Sequence, residues 1–374
     1  MLLLRQVSFA MRLTDWNEKQ FIQEVLGCFA TTAATDAFDD AVIVDLADLV
    51  GLPGAPYLVY SVDQPSFVRH ADRDIDPFRF YGRWVAGVTC NDIIAMGARC
   101  RGFSLALAAS EDTDAENIRS LAAGIVDVLR ACGARYEGGN LDYGALGTVG
   151  VGWGVVPRHA VVRRSGARPG DRVVVTGEMG CGWLEYHVRA NALEDQLDPG
   201  DKEKFRRYKR MPVGAASAVA ATAEKGLLTS GMDLSDGLVE YLYTLVSRGS
   251  VGCVIDASAL PVSAATIRNL PLLCSVMPDS ADVLRRQPRL IAFDPGYDSP
   301  LLHGFTVRRE ALPAAQQMFR DHGAELHDIG EVISDPVVLL ADASRQIEVP
   351  PFWDDQFREE ETMAAWAKFL AAFA

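Results

Sequence analysis

Asp92 stands on what should be the buried stripe of a helix, and a carboxylate there demands a partner. In the run from Trp84 to Met96, positions Val85, Val88, Asp92, Ala95 and Met96 recur at helical spacing, and Gly97 supplies the stop. Desolvating an ionised carboxylate costs on the order of several kcal/mol unless a cation or donors compensate, so a metal or an arginine should face Asp92. An ion pair within the core is the plain alternative. More carboxylates lie at the ends of elements: Asp39 and Asp40 before a strand, Asp63 closing Tyr60-Ser61-Val62-Asp63, and Asp233 and Asp236 bracketing Leu234-Ser235. Acids from separate elements can converge on Mg²⁺, a hard cation that takes oxygen ligands and is commonly shared with substrate phosphates. Phosphoryl transfer is the chemistry such a cluster suits. Taken singly, Asp39 and Asp40 also read as a solvated turn, Asp63 as a strand-end cap, and Ser235 or Asp236 as a helix cap.

Alternating strands and helices carry these residues. Val42 to Leu46 and Tyr57 to Val62 read as strands, Arg79 to Met96 as a helix, Phe103 to Ala108 as a strand, and Asp114 to Cys132 as an amphipathic helix stopped by Gly133. From Thr148 to Val156, Gly150, Gly152 and Gly154 alternate with Val149, Val151, Trp153 and Val155, a bare strand face that another backbone or a ligand should approach. Residues 157–171 read as a connection, and a second block begins at Arg172. That block holds two strand-glycine-helix junctions. In the first, Val173 to Thr176 leads through Gly177, Gly180 and Gly182 into a helix from Trp183 to Ala192; in the second, Met232 to Gly237 leads into a helix with Leu238, Tyr241, Leu242 and Leu245 on its apolar face. Either helix N-terminus offers amide N–H groups to a phosphate. Neither a P-loop nor a G-x-G-x-x-G fingerprint opening a helix after a strand occurs. The expected division is 1–156, a linker 157–171, 172–349 and a tail 350–374.

At 374 residues, with 49% apolar and 23% charged residues, the chain has material for two cored domains. A net charge of −14 disfavours nucleic acid and anionic membrane as partners, so any phosphate ligand needs locally supplied cations. The seven cysteines lack a C-x-x-C pair, and an odd number favours reduced thiols. Residues 1–11 lack a signal-peptide core and no run approaches the length of a membrane span, so a cytoplasmic protein is expected. In the tail, Met363, Trp366, Leu370 and Phe373 form an apolar stripe beside Lys368, which suits docking on the protein itself better than a membrane surface.

The order and wording of the motifs strongly resemble the thiamine-monophosphate kinase branch of the aminoimidazole ribonucleotide synthetase superfamily. The matching stretches are Asp39 to Val42, Ser61 to Asp63, Asn91 to Arg99, Gly138-Gly139-Asn140, Arg164 to Asp171, Val175 to Gly177, Asp233 to Leu238 and Ile329 to Val332, collinear across most of the chain. The resemblance implies an α/β (α+β) two-domain PurM-like fold whose N-terminal domain forms an intersubunit β-barrel in a homodimer, with a C-terminal α/β domain. It further implies ATP as a substrate and Mg²⁺ as cofactor, with Asp39, Asp40, Asp63, Asp92 and Asp233 as metal or Mg-nucleotide carboxylates. Asp63, Gly138, Gly139, Asn140 and Arg164 would contact the nucleotide, and Asp233, Ser235 and Asp236 would line the transfer cleft, with His303 as an added acid/base or acceptor contact.

Two departures from the family pattern bear on the acceptor. Asn140 stands where the family has a third-position Asp, removing a charge from the expected metal site. Gly296 to Phe305, including Tyr297, Pro300 and His303, replaces the kinases' acidic Gly-Glu-Asp-Tyr-Glu-Leu-type stretch. Selenophosphate synthetases fit poorly for lack of the N-terminal Cys or Lys pair, and hydrogenase-maturation proteins for lack of a Cys at the end Phe369 to Ala374. The expectation is ATP- and Mg-dependent phosphoryl transfer to, or activation of, a small polar metabolite other than thiamine monophosphate. The alternatives are a true thiamine-monophosphate kinase and an inactive nucleotide-binding protein.

Overall fold

The computed structural model describes residues 39–65, 76–209, 215–294, 302–342, 345–352 and 359–373. The first half builds one sheet from β1 (Val42–Asp45), β2 (Tyr57–Asp63), β3 (Arg99–Ala109), β4 (Arg135–Tyr143) and β5 (Gly147–Val156), in the order β1-β2-β5-β3-β4. Neighbours are antiparallel except β3 and β4, which run parallel and are joined by a helix, as a parallel crossover requires. Its helices are α1 (Leu46–Val50), α2 (Pro77–Ala95) and α3 (Ala115–Cys132). Asp76 opens α2 by accepting from Phe78 N and Arg79 N, with Pro77 in the first turn where its missing N–H costs nothing. Asp114 caps α3 in the same way, and Gly133 ends it in the left-handed region at φ 71°.

Helix α2 is buried on nearly every side, which explains why its apolar positions are not confined to one stripe. It crosses α3 at contact distance: a Cβ on Gly82 would lie 1.9 Å from the Leu121 carbonyl oxygen, and one on Gly124 2.0 Å from that of Arg79. On another side it fills the bare face of β5. A Cβ on Gly152 would come within 2.9 Å of both Ile93 and Thr89, and one on Gly154 within 2.7 Å of Ile93. The glycine face therefore admits a helix of the same chain, not the backbone of a partner.

The second half contains β6 (Arg172–Thr176), β7 (Leu228–Asp233), β8 (Gly252–Asp256), β9 (His303–Val307), β10 (Leu326–Ile333), β11 (Val338–Ala341) and β12 (Gln346–Glu348). Their order is β12-β11-β8-β10-β6-β9-β7, antiparallel except for β11 on β8. The helices are α4 (Cys181–Ala190), α5 (Pro199–Lys209), α6 (Ala216–Glu224), α7 (Gly237–Gly249), α8 (Ala264–Val276), α9 (Pro278–Arg286), α10 (Leu312–Asp321) and α11 (Glu359–Ala371). One core packs the apolar sides of α4, α7, α8 and α11 on this sheet. The other is shared between the halves: Val174, Phe305 and Val307 of the second sheet meet Ile93, Ile94 and Met96 around α2. In α11, Trp366, Phe369 and Leu370 are buried, as is Phe373 just after it, with Trp366 edge-on to Trp183 at 5.3 Å, so the tail docks on the protein as its pattern suggested. The side chain of Met363 lies outside the described residues.

Candidate active site

Three elements bring the acids together at the contact between the halves. β2 ends on Asp63, α2 carries Asn91 and Asp92, and β7 ends on Asp233. Ser61, two residues before Asp63 and on the same strand face, donates to Asp92 Oδ2 at 2.5 Å and lies 3.1 Å from Asp63 Oδ2. Asn91 Nδ2 reaches Asp233 Oδ2 at 3.5 Å, while the Asn91 side-chain oxygen is buried without a hydrogen-bond partner. Among the described residues no ion pair forms on Asp63, Asp92 or Asp233, so the arginine expected opposite Asp92 is not beside it. Burial, then the charges of Asp63, Asp233 and Asp40, push the Asp92 carboxyl well above the ordinary carboxylate range. Burial and Asp233 raise Asp63 as well. This is an acidic face short of positive charge.

Asp39 and Asp40 behave differently. Arg163 meets Asp39 at 3.0 Å, the Arg164 main-chain N–H donates to it at 2.9 Å, and Arg164 Nη2 stands 2.5 Å from Asp40 Oδ1. The other Asp40 oxygen accepts from Asp233 N at 3.1 Å. Burial still raises Asp40 to about 7 against the pull of Arg164, and burial also raises Asp39. On Arg164 burial works downward, but Asp40, Asp233 and Asp92 outweigh it and hold the guanidinium firmly charged. The connection between the halves is thus where Arg163 and Arg164 tie down the segment before β1; the Arg163 carbonyl also accepts from Gly231 N on β7 at 2.9 Å.

His303 pairs with Asp233 across β9 and β7. Its ring is fully enclosed, stacks on Phe305 at 5.6 Å and has no hydrogen-bond partner on either nitrogen. Burial pushes the imidazole down to about 4, opposed in part by the Asn91 backbone, so it is neutral at pH 7. Sequence reading placed His303 in a substituted acceptor stretch; the fold sets it beside the acids. Of that stretch, Gly296, Tyr297 and Pro300 lie outside the described residues.

Ser235 and Asp236 follow Asp233 at the start of α7 and are half-buried. Asp236 occupies the N-cap position but makes no side-chain capping bond, so capping does not account for it. The first glycine junction is accounted for by packing: Cβ atoms on Gly177 and Gly180 would press on Leu302 at 2.9 Å and Ile291 at 2.6 Å. Gly138, Gly139 and Asn140 lie on edge strand β4. Gly139 pairs with Leu105, which pairs with Gly150 and through it lies in the row of Asp63, whereas Asn140 pairs with Ala106, one residue on and facing the opposite side. Within one protomer Asn140 is therefore turned away from the acids. A Cβ on Gly139 would lie 1.7 Å from the Leu105 carbonyl oxygen, so strand pairing alone demands that glycine.

Among the described residues no three His, Cys, Asp or Glu side chains stand close enough to grip a metal unaided. Unpaired Asp63, Asp92 and Asp233, with the orphaned Asn91 oxygen, fit Mg²⁺ in its usual role, held by one or two carboxylates while waters and nucleotide phosphates complete the shell.

The AIR synthase related protein, N-terminal domain family matches residues 38–156, and its C-terminal domain family matches 168–341. The thiamine-monophosphate kinase of Escherichia coli is 31% identical over 229 residues, covering 61% of this chain and 69% of the kinase. That of Halobacterium salinarum is 33% identical over 192 residues, covering 50% of this chain but only 61% of its own length. Among solved structures, thiamine monophosphate kinase from Aquifex aeolicus superposes with a TM-score of 0.68 at 20% identity, over 90% of this chain and 99% of that one. A hydrogenase maturation protein HypE in complex with ATP gives 0.60 at 18% identity, over 93% and 99%.

Proposed function

For a chain that belongs to the thiamine-monophosphate kinase-like branch of the AIR synthase related superfamily, we propose ATP-dependent phosphoryl transfer with thiamine monophosphate as acceptor and thiamine diphosphate as product. The observation that carries the reading is the acidic face made by half-buried Asp63 and Asp92 and buried Asp233, which has no ion-pair partner among the described residues. Such a face is stable only when protonated or when a cation arrives with a ligand. Bound Mg²⁺ would neutralise the charge on the β- and γ-phosphates. Asp63 and Asp92 would then fix the nucleotide's cation and Asp233 would share it from the second half. Ser61 donates to the Asp92 carboxyl, and Ser235 and Asp236, at the start of α7, would line the acceptor side. Arg164, bound to Asp40, sets the position of the Asp233 main chain.

The relatives favour thiamine monophosphate over another small metabolite, against the expectation raised by the two departures. Asn140 lies on the sheet face opposite Asp63, so its lost charge does not weaken the acidic cluster of the same protomer. An inactive nucleotide-binding protein is the weaker reading, because the acidic positions that match the kinase pattern, Asp39, Asp40, Asp63, Asp92 and Asp233, are kept and the relatives are kinases. The test is kcat/KM for thiamine monophosphate with Mg-ATP, product identified by mass. A value of about 10⁴ M⁻¹s⁻¹ or more is expected, ordinary for a natural substrate. ATP consumption without thiamine diphosphate would overturn the acceptor and keep the transfer chemistry. We also propose a homodimer joined through the first sheet and a cytoplasmic location; among the described residues no helix is long and apolar enough to cross a membrane.

A further inference from the structure

The face of the second sheet that meets the first half through Val174, Phe305 and Val307 continues outward past that contact, across β10, β8 and β11. Cys253, Ile255, Val332 and Leu340 belong to the core beneath, so Val254, Ile333 and Ala341, each one residue along, show the opposite face. There they floor an open cavity of about 1020 Å³, walled by Asp256 and Ser258 after β8 and by Gln287 to Leu290 after α9. Small-molecule sites run from roughly 300 to 1,000 Å³, so a ligand of nucleotide size fits. Four strand spacings of about 4.8 Å separate β8 from β7, which puts the cavity roughly 19 Å from Asp233, clear of the acidic face. Its polar groups differ in what they have to spare. Arg172 is committed to Asp328 and Glu331, and Glu331 also to Arg309. Arg289, half-buried, donates to the Leu260 carbonyl and meets no carboxylate among the described residues. The Gln287 side-chain amide, two residues before it, likewise has no partner among them. Asp256 Oδ1 accepts from Ser258 N at 2.8 Å and from its hydroxyl at 2.7 Å, leaving Oδ2 for an incoming donor.

We propose that this cavity is a second small-molecule site, for a phosphate ester of an amino-substituted heteroaromatic ring. A half-buried guanidinium answered only by a neutral carbonyl favours an anion, and in a chain of net charge −14 such a cation must be local. The Arg289 fork and the Gln287 amide together offer more N–H donors than one carboxylate takes up in a bidentate pair, and suit the terminal oxygens of a phosphate. The apolar floor of Val254, Ile333 and Ala341 suits the ring, and the spare Asp256 oxygen its exocyclic amine. Adenine nucleotides and aminopyrimidine phosphates share this chemistry. The site does not rest on the kinase reading, since none of its residues belongs to the acidic face.

The experiment is titration calorimetry on the full chain in chelator, where the acidic face has no cation with which to hold phosphates. The probes are ADP, thiamine diphosphate and inorganic phosphate. One site per chain is expected for ADP or thiamine diphosphate, and the tighter of the two identifies the source. Arg289→Met should weaken that binding by about tenfold or more, the loss of one charge-assisted contact. Gln287→Leu, whose amide holds nothing in the fold, should weaken it several-fold and serves where Arg289→Met fails to fold. Asp256→Asn keeps an oxygen for Ser258 but swaps the other for a donor, so it should weaken both organic probes and leave phosphate unchanged. No binding of either organic probe, or binding untouched by Gln287→Leu and Asp256→Asn, overturns the site. Inorganic phosphate bound as tightly as both organic probes would overturn the part given to the ring. Asp92→Asn should leave these affinities unchanged; a loss there would move the binding to the acidic face and overturn the proposal.

Discussion

Arg164 stands 2.5 Å from Asp40, and the second oxygen of that carboxylate accepts from the main chain of Asp233 at 3.1 Å, so one buried ion pair ties the segment before β1, the connection and the end of β7. The Asp40 side chain is wholly shielded and Arg164 is 23% exposed. Removing the cation leaves a buried carboxylate that must protonate or find water. Arg164→Ala is therefore expected to destabilise the fold by about 3–5 kcal/mol in urea unfolding. Pairing it with Asp40→Asn should recover part of that loss, because the stranded charge goes too. A double variant no more stable than Arg164→Ala would show that Arg164 acts through something other than Asp40.

Asp92→Asn separates function from stability. The amide keeps the shape and can still bond to Ser61 but removes a charge that Asp63, Asp233 and Asp40 all disfavour. ATP turnover should fall by roughly two orders of magnitude. In chelator, the melting temperature should hold or rise, since the substitution relieves like-charge crowding. Lost turnover together with a lowered melting temperature would mark Asp92 as structural.

Stability should depend on pH with a sign set by two opposed sets of groups. Asp40, Asp63 and Asp92 hold protons more tightly folded than unfolded. Their contribution is full below the unfolded value of 3.8 and is lost as pH rises through the folded values, about 7 for Asp40. Half-buried His187 and buried His303, both lowered to about 4 from 6.5, contribute in the opposite sense: their share is present above 6.5 and lost as pH falls toward 4. The sets oppose each other between those limits, and above 6.5 only the carboxylates remain. In chelator, the melting temperature should therefore decline from pH 6.5 to 8, and Mg²⁺ with a non-hydrolysable ATP analogue should restore more of it at pH 8 than at 6.5. A flat or rising profile without metal would contradict the raised carboxyls.

The sequence made α3 legible to within a residue because Asp114 and Gly133 punctuate a clean apolar stripe. It placed Asp63, Asp92 and Asp233 at strand end, helix and strand end, and the fold puts them there. What it could not convey was the direction of approach. The glycines of β5 signalled a close neighbour, but only tertiary packing reveals that α2 fills the space. Arg163 and Arg164 lie in what read as a connection, with Arg164 alone matched to a nucleotide contact, and their bonds to Asp39 and Asp40 span more than a hundred residues, beyond any local pattern. β4 went unread because its alternation is broken by Gly138, Gly139 and Asn140, and its facing followed only from the register with β3. His303 gave no sign of its neighbours, since its pairing with Asp233 is set by sheet order.

Subunit association should run through the outward face of the first sheet. Val62 and Val151 are direct cross-strand partners on β2 and β5, on the side away from α2, and are 55% and 37% exposed. Tyr136, Leu141 and Tyr143 on edge strand β4 are exposed too, but their register with buried Phe103, Leu107 and Ala109 turns them to the other face, so they add apolar area at that edge rather than on this face. An edge strand with exposed aromatic and aliphatic side chains is an open pairing surface unless something covers it, and a second copy related by two-fold symmetry would cover both edges at once. Light scattering at micromolar concentration should give about twice the chain mass. Charges introduced on this face, Val62→Asp with Val151→Asp, should shift the chain to monomer while leaving its circular dichroism intact, because neither side chain belongs to the core. A monomeric parent chain, or a dimer untouched by both charges, would place the contact elsewhere or remove it.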